Sequence, residues 1–235
     1  MNEEQISLDH RPRVAAERRE RTRARLIESA MLVFADRGMG ANVIQEVIAA
    51  AGVSQGTFYN YFRSNEELLE AVAQQLNDEL IQLIETEVDS YKDPVRRVAS
   101  GVRMFMHAAR AYPLLARFIC VAGLRSAGPG SLLHVHLPVD IEQGLALGRF
   151  KGVSVEVAVD IVAGTTLTTI LRMATSDTPS SQPEQAVTAI LHGLGIPLAQ
   201  ARTLVRAPLA PINAPPSSLL ERGRTKVPAE RETKK

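Results

Sequence analysis

The sequence predicts an all-α protein, and three features carry that prediction. Apolar residues recur at intervals of three and four almost throughout, rather than at two. Ser or Asn stands ahead of several of these stretches, where a side-chain oxygen can cap a helix. Gly or Pro closes them. With 235 residues, 45% of them hydrophobic, the chain is long enough for one or two domains with a buried core. A small disulfide scaffold is excluded, and the single cysteine, Cys120, agrees with a reducing compartment. The longest uninterrupted apolar run, Phe118 to Leu124, is far short of the roughly 18 residues of a membrane helix. No apolar stretch of signal-peptide length opens the chain, so a soluble cytoplasmic protein with no membrane partner is expected.

Taken in order, the first helix carries the stripe Leu26, Ile27, Ala30, Val33 and Phe34 and stops at Gly38 to Gly40. Ahead of it the net charge of +1 hides a local excess, because residues 11 to 25 hold seven arginines against Glu17 and Glu20. This predicts a flexible, arginine-rich arm over residues 1–20. Asn42 can cap a second helix, with Gln45 completing a capping box and Ile44, Val47, Ile48 and Ala51 as its buried face. Gly52 breaks that helix, Ser54 can cap a short one through Phe62, and Ser64 with Glu67 opens a long one. Two helices joined at a tight glycine turn form a helix-turn-helix pattern. The long helix, about Asn65 to Asp89, carries Leu68, Leu69, Val72, Leu76, Leu80, Leu83 and Val88. At 1.5 Å per residue it spans roughly 37 Å, enough to leave one domain and enter another.

Pro94 opens the next helix, with the stripe Val95, Val98, Val102, Phe105 and Ala109 and with Arg96, Arg97, Arg103 and Arg110 mostly directed elsewhere. Helices follow from Pro113 to about Arg125 and from Pro138 to about Leu147, with a loop over residues 126–131. The stretch Ser154 to Ala174 is apolar on two faces, one through Val155, Val159, Val162 and Thr166, the other through Val157, Ile161, Thr165, Thr168 and Leu171. Such a helix is buried all round. Pro183 to Leu194 forms a further helix, stopped by Gly195 and Pro197, and a short one runs to about Arg206. From Ala207 five prolines and mixed charges predict a disordered tail. The expected division is therefore an arm (1–20), a helix-turn-helix domain (21–66), a second helical domain (67–206) and a tail (207–235).

The run Ala51-Gly52-Val53-Ser54-Gln55-Gly56-Thr57-Phe58-Tyr59-Asn60-Tyr61-Phe62, followed by Ser64 and Glu66-Glu67-Leu68, resembles the turn, recognition helix and fourth-helix start of the TetR family of bacterial transcriptional regulators. Weaker similarities are Gly148-Arg149-Phe150, Leu194-Gly195-Ile196 and Ala201. The resemblance implies an amino-terminal three-helix DNA-binding domain and a carboxy-terminal helical bundle for effector binding and dimerisation. It also implies no cofactor, and partners that are double-stranded DNA, a second copy of the chain and a small-molecule effector. Its DNA-binding positions fall on Asn42, Val43, Ser54, Gln55, Gly56, Thr57, Tyr59, Asn60, Tyr61 and Asn65. Relatives often carry lysine where this chain has Gln55 and Asn65, and a small alanine where it has Ile48, so phosphate contacts at the first two are weakened.

The residues support the same reading by themselves. A short helix capped by Ser54 presents amides and a dipole that favour a phosphate. Gln55 and Asn60 can each bond an adenine edge, and Thr57 offers a methyl to thymine. The arginine run supplies a compensating cationic arm or, equally, a solvated helix face paired with Glu17 and Glu20. In the second domain Phe105, Met106, Phe118, Leu145, Thr165, Thr169 and Met173 are candidate pocket walls, and Arg117 or Arg125 could receive a ligand carboxylate, which points to an apolar or aromatic acid. Ala158, Ile161, Val162, Ala186, Ala189, Ile190 and Leu194 are candidate dimer contacts. His134 and His136, in a loop near Asp140, lack a third ligand at metal-site spacing. No phosphate loop, nucleophile elbow or zinc-protease motif occurs, which disfavours an enzyme. The expected function is a ligand-responsive repressor on a palindromic operator. The alternatives are an effector-independent regulator or activator and, on another footing, an enzyme on an all-α scaffold.

Overall fold

The computed structural model describes residues 3–123 and 131–226, with side chains from 13 to 123 and from 131 to 224. Among the described residues there are eleven helices and no strand. The chain divides into a unit over residues 1–72 and another over 73–235.

The amino-terminal unit begins with α1 (Glu3–Arg37), which runs through the segment expected to be a flexible arm. Arginine, alanine and glutamate are strong helix formers, and Glu17 lies 3.7 Å from Arg13 and 3.9 Å from Arg21 at helical spacing. The last turns of α1 bury Leu26, Ile27, Ala30, Met31 and Phe34. α2 (Ile44–Ala51) packs across them. Gly52 turns the chain with φ 60°, the left-handed region that glycine enters without penalty, and its N–H bonds Ala49 at 3.2 Å. α3 (Gln55–Tyr59) follows, its Phe58 wholly buried and 6.0 Å from Phe62. α4 (Asn65–Val88) opens as expected: Ser64 Oγ accepts from Glu67 N at 3.2 Å, while the Glu67 carboxylate accepts from Arg63 N at 2.7 Å.

The carboxy-terminal unit holds the rest of α4, then α5 (Pro94–Ala111), α6 (Pro113–Ala122), α7 (Leu132–Ala146), α8 (Val155–Thr175), α9 (Gln182–Gly193), α10 (Leu198–Val205) and α11 (Leu219–Lys226). α5 is its axis, packing against α6, α7, α8, α9 and α10. The aspartate ahead of it, Asp93, accepts from Val95 N at 3.1 Å and so caps the helix that Pro94 starts.

Three expectations give way here. α7 begins six residues before Pro138, which sits inside the helix, so the helical stretch includes His134 and His136 rather than leaving them in a loop. Proline within a helix forfeits the bond to the carbonyl four residues back. Anchors on both sides offset that loss: Leu132 N–H donates to Asp78 at 3.0 Å, and Leu137 and Ile141 are buried. Arg97 and Arg103 of α5 turn inward instead of away, Arg103 being buried beside Glu184 at 3.3 Å. The tail is also ordered as far as it is described. The Ala207 carbonyl accepts from Arg103 at 2.9 Å, and the first N–H of α11 donates to Glu79 at 3.0 Å, with Leu220 buried. The prolines there shape an extended path whose polar groups find partners on α4 and α5. Arg125 and most of the 126–131 loop lie outside the described residues.

Two turns interlock. Lys151 N donates to the Leu194 carbonyl at 3.0 Å, and a Cβ at Gly195, whose φ is 88°, would stand 2.8 Å from the Lys151 carbonyl oxygen. At Gly144 a Cβ would meet the buried Phe150 ring at 2.2 Å. Gly144→Ala must therefore displace that ring, and we expect a loss of about 1–3 kcal/mol of stability, measured by urea unfolding.

Candidate functional site

The first site is built on α3. Ser54 is its N-cap, with Oγ accepting from Thr57 N at 3.1 Å and lying 2.8 Å from Thr57 Oγ1. That cap holds a single turn in which Phe58 points into the core while Ser54, Gln55, Gly56, Tyr59 and Asn60 are exposed and Thr57 is half-buried. Tyr59 is 46% exposed although it abuts Phe58 edge-on at 5.4 Å, so the ring is braced yet available. Nothing inside the chain requires glycine at position 56, where a Cβ would meet only Ser54 Oγ, at 4.0 Å. The space above it is open to a partner.

Arg18, Arg19, Arg21 and Arg25 of α1 line a concave surface of about 960 Å³ together with Gly52, Ser54, Thr57, Asn60 and Tyr61. Arg19 places its guanidinium 5.8 Å from the centre of the half-buried Tyr61 ring, while Arg21 lies 3.9 Å from Glu17. Three other candidates behave differently from expectation. Val43 is wholly buried and is itself the residue preceding α2. Asn42 is exposed, its Oδ1 3.5 Å from Ile44 N, so the capping expected of it is marginal. Asn65 spends its side-chain amide on the backbone, donating to the Ala41 carbonyl at 3.1 Å and accepting from Val43 N at 3.4 Å. It fixes the entry to α2 where a lysine would reach outward.

The second site is a cavity of about 90 Å³ within the carboxy-terminal unit, between α4, α5, α6, α7 and α8. Phe105 lines it, alone among the seven expected wall residues. Met106, Phe118 and Thr169 are buried elsewhere in the core, and Leu145, Thr165 and Met173 are half-exposed away from it. The threonine on the cavity is Thr166, one helix position away from the choice made on periodicity. Its floor carries a charge cluster that the sequence reading missed. Arg97 donates through Nε to Asp140 at 2.7 Å, through one terminal nitrogen to Glu85 at 2.8 Å, and through the other to the Val88 carbonyl at 2.9 Å. Burial raises the Asp140 carboxyl above its ordinary range, with Arg97 partly holding it down. Burial likewise works against the Arg97 charge, but Asp140 and Glu85 outweigh it. The available signal was the ridge Arg97, Gly101, Phe105, spaced four apart, in which glycine leaves room beside a cation. Arg117, one of the two arginines considered for a ligand carboxylate, is exposed.

Of the expected dimer contacts, Ala158, Val162, Ala186, Ile190 and Leu194 are buried within the protomer itself, Ile161 is half-buried and Ala189 is exposed. The apolar groups left outward on α8 are Val157 and Leu171, with Thr168 between them bonding its own helix at the Gly164 carbonyl, 2.8 Å away. α8 is long and apolar enough to cross a membrane by length and composition, and only 28% of its most apolar stretch is buried in the protomer. Cys120 is half-buried, and burial pushes its thiol pKa up, against thiolate chemistry. Among the described residues no group of three or more His, Cys, Asp or Glu is arranged to hold a metal ion.

A capped helix-turn-helix followed by a helical second unit defines a helix-turn-helix transcriptional regulator. Residues 26–72 match the family model of bacterial regulatory proteins, tetR family, and residues 93–207 match the tetracyclin repressor-like C-terminal domain. The chain belongs to the TetR family, whose members are DNA-binding transcriptional regulators. Curated relatives include the HTH-type transcriptional repressor DhaR of Mycobacterium sp. (strain GP1), 36% identical over 77 residues, covering 32% of this chain and 39% of that protein. The HTH-type transcriptional activator FasR of Mycolicibacterium smegmatis is 32% identical over 101 residues, covering 41% of this chain and 46% of that protein. The chain thus spans about two fifths of the length of the curated relatives it matches. Among solved structures, RolR in complex with resorcinol superposes with a TM-score of 0.70 at 28% identity, covering 84% of this chain and all of that one. FadR from Bacillus subtilis in complex with stearoyl-CoA shares the fold, with a TM-score of 0.57 at 19% identity over 73% of this chain and 96% of that one.

Two substitutions separate contact from scaffold. Gly56→Ala should keep or slightly raise the melting temperature, since alanine is the better helix former, while weakening DNA binding in a mobility-shift assay. Asn65→Ala leaves the Val43 N–H without its partner and should cost about 1–2 kcal/mol of stability, lowering affinity without altering its salt dependence.

Proposed function

We propose that the chain is a ligand-responsive repressor that binds a palindromic operator as a homodimer and releases it when a small apolar or aromatic molecule occupies the carboxy-terminal cavity. The observation that carries the DNA-binding half is the exposed face of α3, presented by a buried Phe58 and flanked by four arginines of α1. Gln55, Thr57, Tyr59 and Asn60 would meet base edges in the major groove, and the arginines the adjoining phosphates. Repression is favoured over activation by relatives such as DhaR, and FasR keeps activation as the second outcome of the test.

The ligand half rests on α4 and the cavity beside it. One end of this continuous helix holds Asn65, which ties down the entry to α2, and further along it carry Ile81, Ile84 and Glu85 on the cavity wall. A molecule that reshapes the cavity would shift α4 and, through Asn65, the placement of α2 and α3. Half-sites about one turn of DNA apart demand a fixed spacing of two recognition helices, so a small shift would release the operator. The likeness to RolR, solved with resorcinol, supports a small aromatic effector. The outward apolar groups of α8, with Ala189 on the adjoining α9, support a symmetric helical interface with a second copy.

A mobility-shift assay on the DNA upstream of the chain's own reading frame, with and without a panel of small aromatic compounds, tests the whole proposal, and failure to bind any such DNA specifically would sink it. Arg21→Ala or Arg25→Ala should weaken binding alike on all sequences and lower the salt slope by about one phosphate contact each. Val157→Glu or Leu171→Glu should give monomers by sedimentation and abolish operator binding, whereas the same change at the buried Ile190 would simply unfold the unit.

A further inference from the structure

We propose that Arg23 is a positioning residue for DNA binding: its guanidinium, set against the Phe62 ring, fixes the direction in which α3 points, and it does so without touching DNA. The inference rests on the reading of α3 as the recognition helix and adds what aims it.

The first ground is the way α1 sorts its arginines. At about 100° per residue Arg18, Arg21 and Arg25 share one side of the helix, while Arg19 and Arg23 lie roughly 150° round from them. Arg23 stands four residues before Ile27, seven before Ala30 and eleven before Phe34, all of them buried, so it continues the core stripe of α1 by a further turn. It is half-buried, and it does not line the concave surface that Arg18, Arg21 and Arg25 share.

The second ground is what that stripe faces. The Arg23 guanidinium carbon is 5.7 Å from the centre of the Phe62 ring, which is only 2% exposed. A cation within about 6 Å of a ring centre is attracted by the ring face, and more strongly where water is excluded. Arg19, one turn earlier on the same side, makes the corresponding contact with Tyr61 at 5.8 Å, but it is exposed and lines the concave surface as well.

The third ground is the mechanics of a short helix. α3 has five residues and one buried side chain, Phe58. A single anchor leaves one helical turn free to swing about it. Phe62 supplies the second anchor, its ring 6.0 Å from that of Phe58 and its N–H donating to the Phe58 carbonyl at 3.1 Å. The line between the two rings sets the heading of the exposed Gln55, Tyr59 and Asn60, and Arg23 braces its far end from α1. Without that brace α3 spends less of its time in the heading that fits the major groove, and the apparent affinity falls by the same fraction.

The test uses the full chain on the operator footprinted in the DNA upstream of its reading frame, with binding measured across a range of salt. Arg23→Met keeps a long stem and a good helix former but removes the charge. It should weaken binding about fivefold at every salt concentration and leave the salt slope unchanged, whereas Arg25→Met should lower the slope by about one. Arg23→Lys keeps a cation near the ring and should stay within about twofold of the wild type. In a Phe62→Leu background, Arg23→Met should cost less than about twofold, because the ring it acts through is gone. Loss of stability alone would not give this pattern, since a fold weakened so little stays almost wholly folded. A slope lowered by about one in Arg23→Met, an unchanged affinity, a lysine no better than methionine, or an undiminished loss in the Phe62→Leu background overturns the inference and leaves α3 standing as the recognition helix. If Phe62→Leu does not fold, the slope and the contrast between lysine and methionine decide. A wild type that protects no specific site overturns both.

Discussion

A guanidinium set among apolar helices must be answered by negative charge, and the carboxy-terminal unit is arranged around that requirement. Arg97 of α5 draws Glu85 from α4 and Asp140 from α7, so one cation sets the register of three helices. Taking Arg97 away would leave two carboxylates without their cation, at a cost of about 3–5 kcal/mol. Asp140 and the buried Ile141 lie just past Pro138 in α7, so the proline stands between this contact and the Leu132 anchor at the start of the helix. The same cluster places charge on the cavity, whose other lining residues are chiefly apolar, with Asn77, His136 and Thr166 among them.

The second buried cation follows the same logic with different partners. Arg103 meets Glu184 of α9 and the carbonyl of Ala207, while His107 shares the Glu184 oxygen at 2.8 Å. Burial alone would raise the Glu184 pKa, and bonds from His107 and Arg103 bring it below its ordinary value instead. Stretches distant in sequence are in this way brought to α5 by charge as well as by its buried apolar residues, so its arginines do not keep it from serving as an axis.

Much of the amino-terminal unit was legible in the sequence because its determinants are local. Ser54, Ser64 and Glu67 cap helices through bonds spanning three or four residues, and Gly52 turns the chain through its own φ. Asn65 escaped the reading because its partners, Ala41 and Val43, lie more than twenty residues back, and only the fold brings them together. In the second unit periodicity found the helices but not which face of each turned inward. Val162 and Thr166 share an apolar stripe with Val155, yet they open on the cavity, since Gly101 and Ala163 supply no bulk there. Ala158 and Ile190 read as contacts with a second copy because an apolar face looks the same whether its partner belongs to its own chain or to another. The tail was misjudged because proline content reports on helix and sheet propensity and says nothing of whether Arg103 and Glu79 await the backbone downstream.

The docking of α11 on α4 has a consequence in time. Glu79 and Leu219 are 140 positions apart, so the wall of the second unit that contains Glu79 is completed only when the chain has been synthesised almost to the end of the described residues. At about 5–20 residues per second, the interval between the emergence of those two partners is on the order of ten seconds. During it the amino-terminal unit can fold, while the apolar α8 stands without the full set of neighbours it will eventually have. Chaperones would find their opportunity in that interval, whose length is set by the rate of translation across those 140 positions.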